Sequence, residues 1–174
     1  MTNRRIILYM GLVVALVCLG GKTLDAEIHF QIEILSEGSI NFTTGESSFP
    51  LRFSDFRAGS QTTVVEATYS ISANSVMRTD DVVLARLDSP FPDIAFQAQF
   101  VSYTKNGGNA RLVPAQSGYV TIGVQDVGLA NKAVDSGNGQ MLDGTFVINY
   151  RAQAINDLIA GSHFRILTVT FTEV

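Results

Sequence analysis

Short runs of alternating apolar and polar residues, separated by turn-forming residues, make up most of the chain after residue 26. The clearest run covers residues 27–34, where Ile28, Phe30, Ile32 and Ile34 alternate with polar residues. A period of two places the two sets of side chains on opposite faces of a β-strand, and no window of ten or more residues shows a helical period. The pattern predicts an all-β chain whose first strand has one buried and one solvated face.

Further strands are predicted downstream, with Gly, Asn, Asp and Ser clustered between them. The run Asn-Gly-Gly-Asn at residues 106–109 is the strongest hairpin signal, because these residues tolerate the positive φ that tight hairpin turns require. Eight or nine strands at this spacing favour an antiparallel β-sandwich over a barrel. The later strands are expected at residues 49–53, 62–73, 82–87, 94–103, 119–125, 145–151 and 164–172.

The chain begins with a segment typical of export. Arg4 and Arg5 precede an apolar stretch over residues 6–19, which is shorter than the roughly 20 residues that span a bilayer. We expect a signal peptide over residues 1–26, cleaved after Ala26. Two alternatives remain open at this point, an uncleaved anchor and a lipoprotein modified at Cys18.

The expected mature chain is a single domain of residues 27–174 without cysteine, because Cys18 is the only cysteine. It carries nine basic and fifteen acidic residues, a net charge of −6, since the leader removes Arg4, Arg5, Lys22 and Asp25. An acidic chain without a basic run argues against nucleic acid and anionic membranes as partners. Membrane contact is expected only through the leader, if it is retained.

Histidine chemistry has little support in the sequence. His29 and His163 are the only histidines, and they can be neighbours only if the first and last strands pair. Without a third ligand or a nucleophile in context, they are interpreted as surface or hydrogen-bonding residues. We expect no enzymatic activity, no cofactor and no metal.

Carboxylates offer two further candidates. Asp80 and Asp81 are adjacent, so a regular strand would place them on opposite faces, and they are interpreted as the solvated start of a strand instead of an acid/base pair. Residues 135–143 contain oxygen ligands that calcium accepts, but lack the alternation of acidic residues in dedicated calcium loops. A Gly-rich hairpin loop is the favoured interpretation of that segment.

Most aromatic residues fall at positions predicted to point inward. Trp is absent, and core packing accounts for the aromatic strand residues without a ligand. Phe91 lies between two prolines in a loop, so it is predicted to be exposed and available for contact with a partner. The inward set comprises Phe30, Phe53, Tyr69, Phe146, Tyr150 and Phe164.

The terminal strands are the candidates for assembly. A strand at a chain end can complete its own sheet or that of a neighbour, because its backbone groups and apolar side chains satisfy an open edge in either molecule. Pairing within one sandwich is the simpler alternative. Phe164 and Ile166 are out of phase with the end of the last strand, so a bulge is expected near residues 166–167. The predicted assembly residues are Ile28, Phe30, Ile32, Ile34, Leu167, Val169 and Phe171.

Two parts of the chain carry a resemblance to a known family. The first comprises LRFSDFRAGS at residues 51–60 and VVEATYSISAN at 64–74. The second comprises GTFVINY at 144–150 and AGSHFRILTVTFT at 160–172. Both resemble segments of bacterial fimbrial-type and spore-coat-U-like secreted sandwiches, which are immunoglobulin-like. The likeness covers about half of the mature chain, and implies a structural subunit outside the cell with no catalytic residues to carry over.

The expected function is an exported structural or adhesive subunit at the cell surface, assembling into fimbria-like filaments through its terminal strands. Its partners would be further copies or other surface subunits. The alternative is a monomeric secreted or periplasmic binding module, with a glycan as its partner. That module would use the loops at residues 88–93 and 135–143.

Overall fold

The computed structural model describes residues 26–35, 40–45, 47–73, 81–135 and 141–172. These residues contain strands and connections but no helix, and therefore no helix that could cross a membrane. The strands are β1 (Ala26–Leu35), β2 (Ile40–Thr44), β3 (Ser48–Phe53), β4 (Val65–Ala73), β5 (Val82–Leu87), β6 (Ile94–Gly108), β7 (Ala110–Pro114), β8 (Val120–Thr121), β9 (Val127–Val134), β10 (Leu142–Ala154) and β11 (Gly161–Thr172).

The strands form two sheets, which confirms the predicted all-β, sandwich-like fold. The first sheet has six strands in the order β3-β1-β11-β5-β9-β7, and the second has five in the order β2-β4-β10-β6-β8. Eleven strands replace the expected eight or nine, since β2, β7 and β9 were not predicted. In β9, Leu129 and Ala130 are adjacent and both buried beside a register shift in the β5 pairing, which breaks the alternation that sequence patterns detect.

The first and last strands pair in parallel, which departs from the antiparallel sandwich that was expected. The pairing runs without a register shift from Ala26 opposite Gly161 to Leu35 opposite Thr170. Parallel neighbours need a long crossover connection, and here nearly the whole chain lies between the two strands. This arrangement places β1 inside the sheet instead of at its edge.

The predicted hairpin at residues 106–109 is wrong. Residues 106–108 are the end of β6, and Asn109 alone separates them from β7. The two strands belong to different sheets, and β7 pairs with β9. Gly108 has a φ of 75°, and a Cβ there would clash with the carbonyl oxygen of Met141. The sequence correctly indicated a positive φ in this segment, at Gly108. The segment nevertheless crosses between the sheets, because the backbone of residue 141 packs against it.

The core between the sheets centres on β10, whose residues alternate strictly between buried and half-buried over its thirteen positions. β10 pairs antiparallel with β4 on one side and β6 on the other. The buried hydroxyl groups of Tyr69 and Tyr150 lie 2.5 Å apart in a hydrogen bond. Burial raises the pKa of both phenols above the ordinary value, because an ionised phenolate would lose its hydration there.

Candidate functional site: the groove that holds β1

β1 fills a groove between β3 and β11. It pairs antiparallel with β3, from Ala26 opposite Phe53 to Gln31 opposite Ser48, and parallel with β11 on its other side. The Ile32 amide extends the β3 side by donating to the Ser47 carbonyl at 2.9 Å. Among the described strands, β3 has β1 as its only sheet neighbour. Without β1, both walls of the groove would present unpaired backbone groups.

The inward face of β1 is anchored by Phe30. Its ring is fully buried, and its centroid lies 5.3 Å from that of Phe49, 4.9 Å from that of Phe96 and 5.2 Å from that of Tyr150. These three rings, here called the aromatic socket, come from β3, β6 and β10, so they belong to both sheets. Aromatic pairs at such separations add about 0.5–1.5 kcal/mol each beyond the burial of area.

Ile28 and Ile32 flank Phe30 on the same face and are also buried. Burying a side chain of this size contributes about 1.5–3 kcal/mol. Ile34 pairs in register with Val169, but its side chain lies outside the described part of the structure. β1 therefore inserts at least three apolar side chains into the core, as its alternation predicted.

The outward face of β1 is polar and partly solvated. The Glu27 carboxylate lies 3.1 Å from the Arg52 guanidinium on β3 and 3.3 Å from the His29 imidazole. Gln31 is exposed. These surface contacts fix the register weakly compared with the buried face, because exposed ion pairs contribute little.

β11 supplies the opposite wall with Leu167, Val169 and Phe171, which are all buried as predicted. Phe164, which was expected in the core, is 53% exposed. It pairs with His29 and shares the outward face of the sheet. The expected bulge near residues 166–167 is absent from the β1 pairing, because Phe164 and Ile166 simply point outward in a regular strand.

The pairing of the terminal strands makes the two histidines neighbours in the sheet. His163 is opposite Ile28, whereas His29 is opposite Phe164, one position along. Consecutive positions face opposite sides of a sheet, so the imidazoles are not brought together. Across the described ranges, no group of three or more His, Cys, Asp or Glu residues is arranged to hold a metal ion.

A cleft of about 200 Å³ opens at the start of β1, with Glu27, Ile28 and His163 on one side and Asp93 and Asp157 on the other. Both aspartates are engaged, since Asp157 accepts the Ala58 amide and Asp93 accepts the Asn156 side chain. Ligand pockets usually enclose about 300–1,000 Å³. The cleft is therefore small for a glycan.

Phe91 is buried, so the prediction of an exposed loop contact is wrong. Its ring is only 5% exposed and packs 6.0 Å from the ring of Phe96. The Arg165 guanidinium lies 5.1 Å above it and donates to the Pro90 carbonyl. The flanking prolines suggested a surface loop, but the loop folds back over the end of the sandwich.

The loop carboxylates proposed for a binding module serve the fold. Asp88 accepts the amides of Ser89 and Ile166. Asp135 lies 2.9 Å from Lys105 and 3.2 Å from Arg111, and the hydrogen bond from Lys105 lowers the pKa of its carboxyl group. Residues 136–140 of the suggested calcium loop lie outside the described residues.

Asp81 is fully buried, which corrects its interpretation as part of a solvated strand start; Asp80 lies outside the described residues. Its partner is the equally buried Lys132 on β9. Sequence analysis missed this pair because Lys132 carries no pattern that distinguishes it from a surface lysine. It also missed the aromatic socket, whose members come from distant strands.

No family model matches the chain, and no curated protein is similar enough to count as a relative.

Proposed function

We propose that the protein is an exported structural subunit that assembles by placing its β1 strand in the groove of another copy. The observation that carries the proposal is the position of β1. An N-terminal strand lies inside a sheet, parallel to the last strand, and seats Phe30 in the aromatic socket. The proposed cleavage after Ala26 leaves this strand at the start of the mature chain.

β1 can leave the groove without any rearrangement of the connections between the other described strands. Residues 36–39 alone join it to β2, which belongs to the other sheet. Withdrawing β1 from the groove requires no other described strand to thread past it. The contacts it makes are sheet hydrogen bonds and side-chain packing, which a copy of the same strand supplies equally well from a second molecule.

The empty groove supplies the driving force for refilling. Without β1, the backbone groups of β3 and β11 lose their partners, and the rings of Phe49, Phe96 and Tyr150 lose the ring between them. An open, apolar sheet edge is a template for another strand. Donation from each copy to the next builds an open filament, whereas reciprocal exchange closes a dimer.

Residues 27–174 contain no cysteine, so no disulfide holds the proposed mature chain. Its stability rests on packing, to which the buried face of β1 contributes. The resemblance to fimbrial-type sandwiches supports the same compartment and the same structural role.

Solution mass measured over a concentration series, with electron microscopy of the same samples, tests self-assembly of residues 27–174. The proposal expects filaments or oligomers that resist SDS, because exchanged strands are held by buried contacts. A monomer at every concentration contradicts self-assembly by this chain. A glycan-binding screen then becomes the test of the alternative, a monomeric binding module.

Complementation tests the groove directly. The chain that lacks residues 27–35 should bind a synthetic peptide of residues 26–35, with a rise in melting temperature. A peptide carrying Phe30→Ser should bind far more weakly, because it leaves the socket unfilled, whereas the matched Gln31→Ser peptide should bind normally. Equal binding by the two variant peptides would show that the socket does not select the strand.

A further inference from the structure

A lysine and an aspartate meet inside the first sheet, away from the groove. Lys132 lies in β9, and Asp81 immediately precedes β5. The Lys132 Nζ is 2.6 Å from the Asp81 Oδ2, and both side chains are 0% exposed. The Lys132 backbone amide also donates to the Asp81 carbonyl at 2.8 Å. The side-chain contact and the backbone hydrogen bond therefore both hold the Lys132 amine next to the Asp81 carboxylate.

This pair is poorly solvated. The second carboxylate oxygen, Asp81 Oδ1, is buried and has no hydrogen-bond partner among the described residues. A buried ion pair is stabilising only when its remaining polar atoms are satisfied, and a buried carboxylate oxygen without a partner retains its desolvation penalty. Any reaction that removes both charges therefore relieves a penalty that the folded chain otherwise carries.

We propose that Lys132 and Asp81 condense to an intramolecular amide that joins Nζ to Cγ and covalently links β9 to β5. The carboxyl carbon lies one C–O bond behind Oδ2, so an ordinary hydrogen-bond angle places Nζ roughly 3–3.5 Å from Cγ, the separation of a near-attack arrangement. Neither group needs to move between strands to react.

The reaction needs no oxidant, reductant or external donor. Transfer of one proton from the ammonium to the carboxylate, along their hydrogen bond, gives a neutral amine and a neutral carboxylic acid. The Nζ electron pair then forms the N–C bond, and the C–O bond to one carboxyl oxygen breaks. That oxygen leaves as water, carrying the transferred proton and a second proton that Nζ gives up as it becomes an amide nitrogen. The product is an uncharged amide, which suits an apolar interior better than two charges do.

The proposal concerns a different part of the molecule from the strand exchange and does not depend on it. The amide would close the chain between residues 81 and 132 and so restrict its unfolded ensemble, in the manner of a disulfide. Such a bond would give this cysteine-free domain a covalent link that survives reduction.

The test is the intact mass of the denatured wild-type chain, followed by peptide mapping. The proposal expects a mass lower by one water molecule, and a branched peptide in which the Lys132 segment is joined to the Asp81 segment. A chain of full mass, with both segments recovered as linear peptides, overturns it. Because this measurement uses the wild-type protein, it remains decisive even if variants fail to fold.

Two controls make the result specific. The exposed pair Lys105 and Asp135 is separated by 2.9 Å and serves as an internal comparison, which should yield only linear peptides since its groups stay hydrated. Lys132→Arg keeps the positive charge but removes the amine, so its mass should equal the value calculated from its sequence. A water-loss product in Lys132→Arg would assign the modification to another site and contradict the proposal.

Discussion

β1 and β10 are both interior strands, one in each sheet, yet they are held in different ways. β10 lies between the antiparallel strands β4 and β6, and chain connections leave it at both ends. β1 lies between β3 and β11 and is joined to the described strands at one end only. Both strands bury, completely or nearly so, the inward side chains that the structure describes, including Phe30 on β1 and Phe146 on β10.

The comparison of β1 with β10 shows that strong burial of a strand does not by itself prevent its exchange with a strand from another molecule. Burial measures how strongly a strand is stabilised in its place, but connectivity decides whether the same place can be filled by a strand from another molecule. β10 can be exchanged only by unfolding the sandwich. In the proposed exchange, β1 would be replaced while its sheet neighbours remain connected through the rest of the chain. We therefore expect variants of the two strands to respond differently to an added peptide with the sequence of β1.

The largest expected effects come from truncating the central ring of each strand. Phe30→Ala and Phe146→Ala should each lower the free energy of unfolding by about 3–5 kcal/mol, because each empties a well-packed aromatic site. A synthetic peptide of residues 26–35 should raise the melting temperature of Phe30→Ala, since it supplies the missing ring. It should leave Phe146→Ala unchanged.

The same peptide carrying Phe30→Ala is the control, and should rescue neither variant. Equal rescue of both variants by the wild-type peptide would contradict the distinction between the strands. So would failure to rescue Phe30→Ala at saturating peptide.

A smaller loss of stability is expected from removing the hydrogen bond between Tyr69 on β4 and Tyr150 on β10. Tyr69→Phe removes the hydroxyl that lies 2.5 Å from the Tyr150 hydroxyl. The variant should lose about 1–3 kcal/mol, because the Tyr150 group stays buried without this partner. Denaturant unfolding measures the change. The double variant Tyr69→Phe/Tyr150→Phe should be closer to wild type than Tyr69→Phe, and a strictly additive loss would contradict this account.

Alkaline pH should destabilise the fold through the same residues. Burial raises the pKa of Tyr69 and Tyr150, and burial followed by the charges of Asp143 and Asp135 raises the pKa of Tyr103 to about 12. An unfolded tyrosine ionises near pH 10, so stability is complete below about pH 10. It falls as pH rises from there through the folded-state pKa values.

Unfolding midpoints measured from about pH 8 to pH 12, with phenolate absorbance followed in parallel, check this direction. The double variant Tyr69→Phe/Tyr150→Phe should lose less stability over the same range. A midpoint that stays constant above about pH 10 would contradict the assignment of neutral, buried phenols.

The smallest effect is expected on the outward face of β1. Gln31→Ser changes an exposed side chain and leaves Phe30 in its socket, so the free energy of unfolding should stay within about 0.5 kcal/mol of wild type. Assembly should proceed at the wild-type rate. A large change in either quantity would mean that the outward face, and not the buried one, governs the strand.

Local pattern predicts what one strand decides by itself. The alternation of residues 27–34 was sufficient to assign the buried face of β1, and the apolar positions of β11 at Leu167, Val169 and Phe171 were equally clear. The pairing of strands that are distant in sequence could not be predicted from the local pattern. The Asn-Gly-Gly-Asn segment has the residues of a hairpin, but the contact with Met141 directs the chain to the other sheet.

The same limit applies to the sites. Asp81 and Lys132 are fifty-one positions apart, and neither has a neighbour in sequence that signals burial. Phe91 has the flanking residues of a surface loop, yet Phe96 and Arg165 enclose it. For Phe91 the deciding contacts come from β6 and β11, which the sequence predicts but does not pair, whereas for Asp81 the deciding contact comes from β9, which was not predicted at all.

The central claim, that β1 moves between molecules, is tested most directly by locking it in place. Gln31 and Ser48 are exposed partners on β1 and β3, and partners across antiparallel strands lie within the reach of a disulfide. The control, Thr43→Cys/Ser70→Cys, joins β2 to β4 in the other sheet and leaves β1 free. Both variants are made in residues 27–174, which contain no cysteine of their own.

Light scattering over a concentration series should show that oxidised Gln31→Cys/Ser48→Cys stays monomeric and that its reduced form assembles. The control variant should assemble in both states. If oxidised Gln31→Cys/Ser48→Cys assembles as readily as its reduced form, β1 is not the exchanged strand and the account fails.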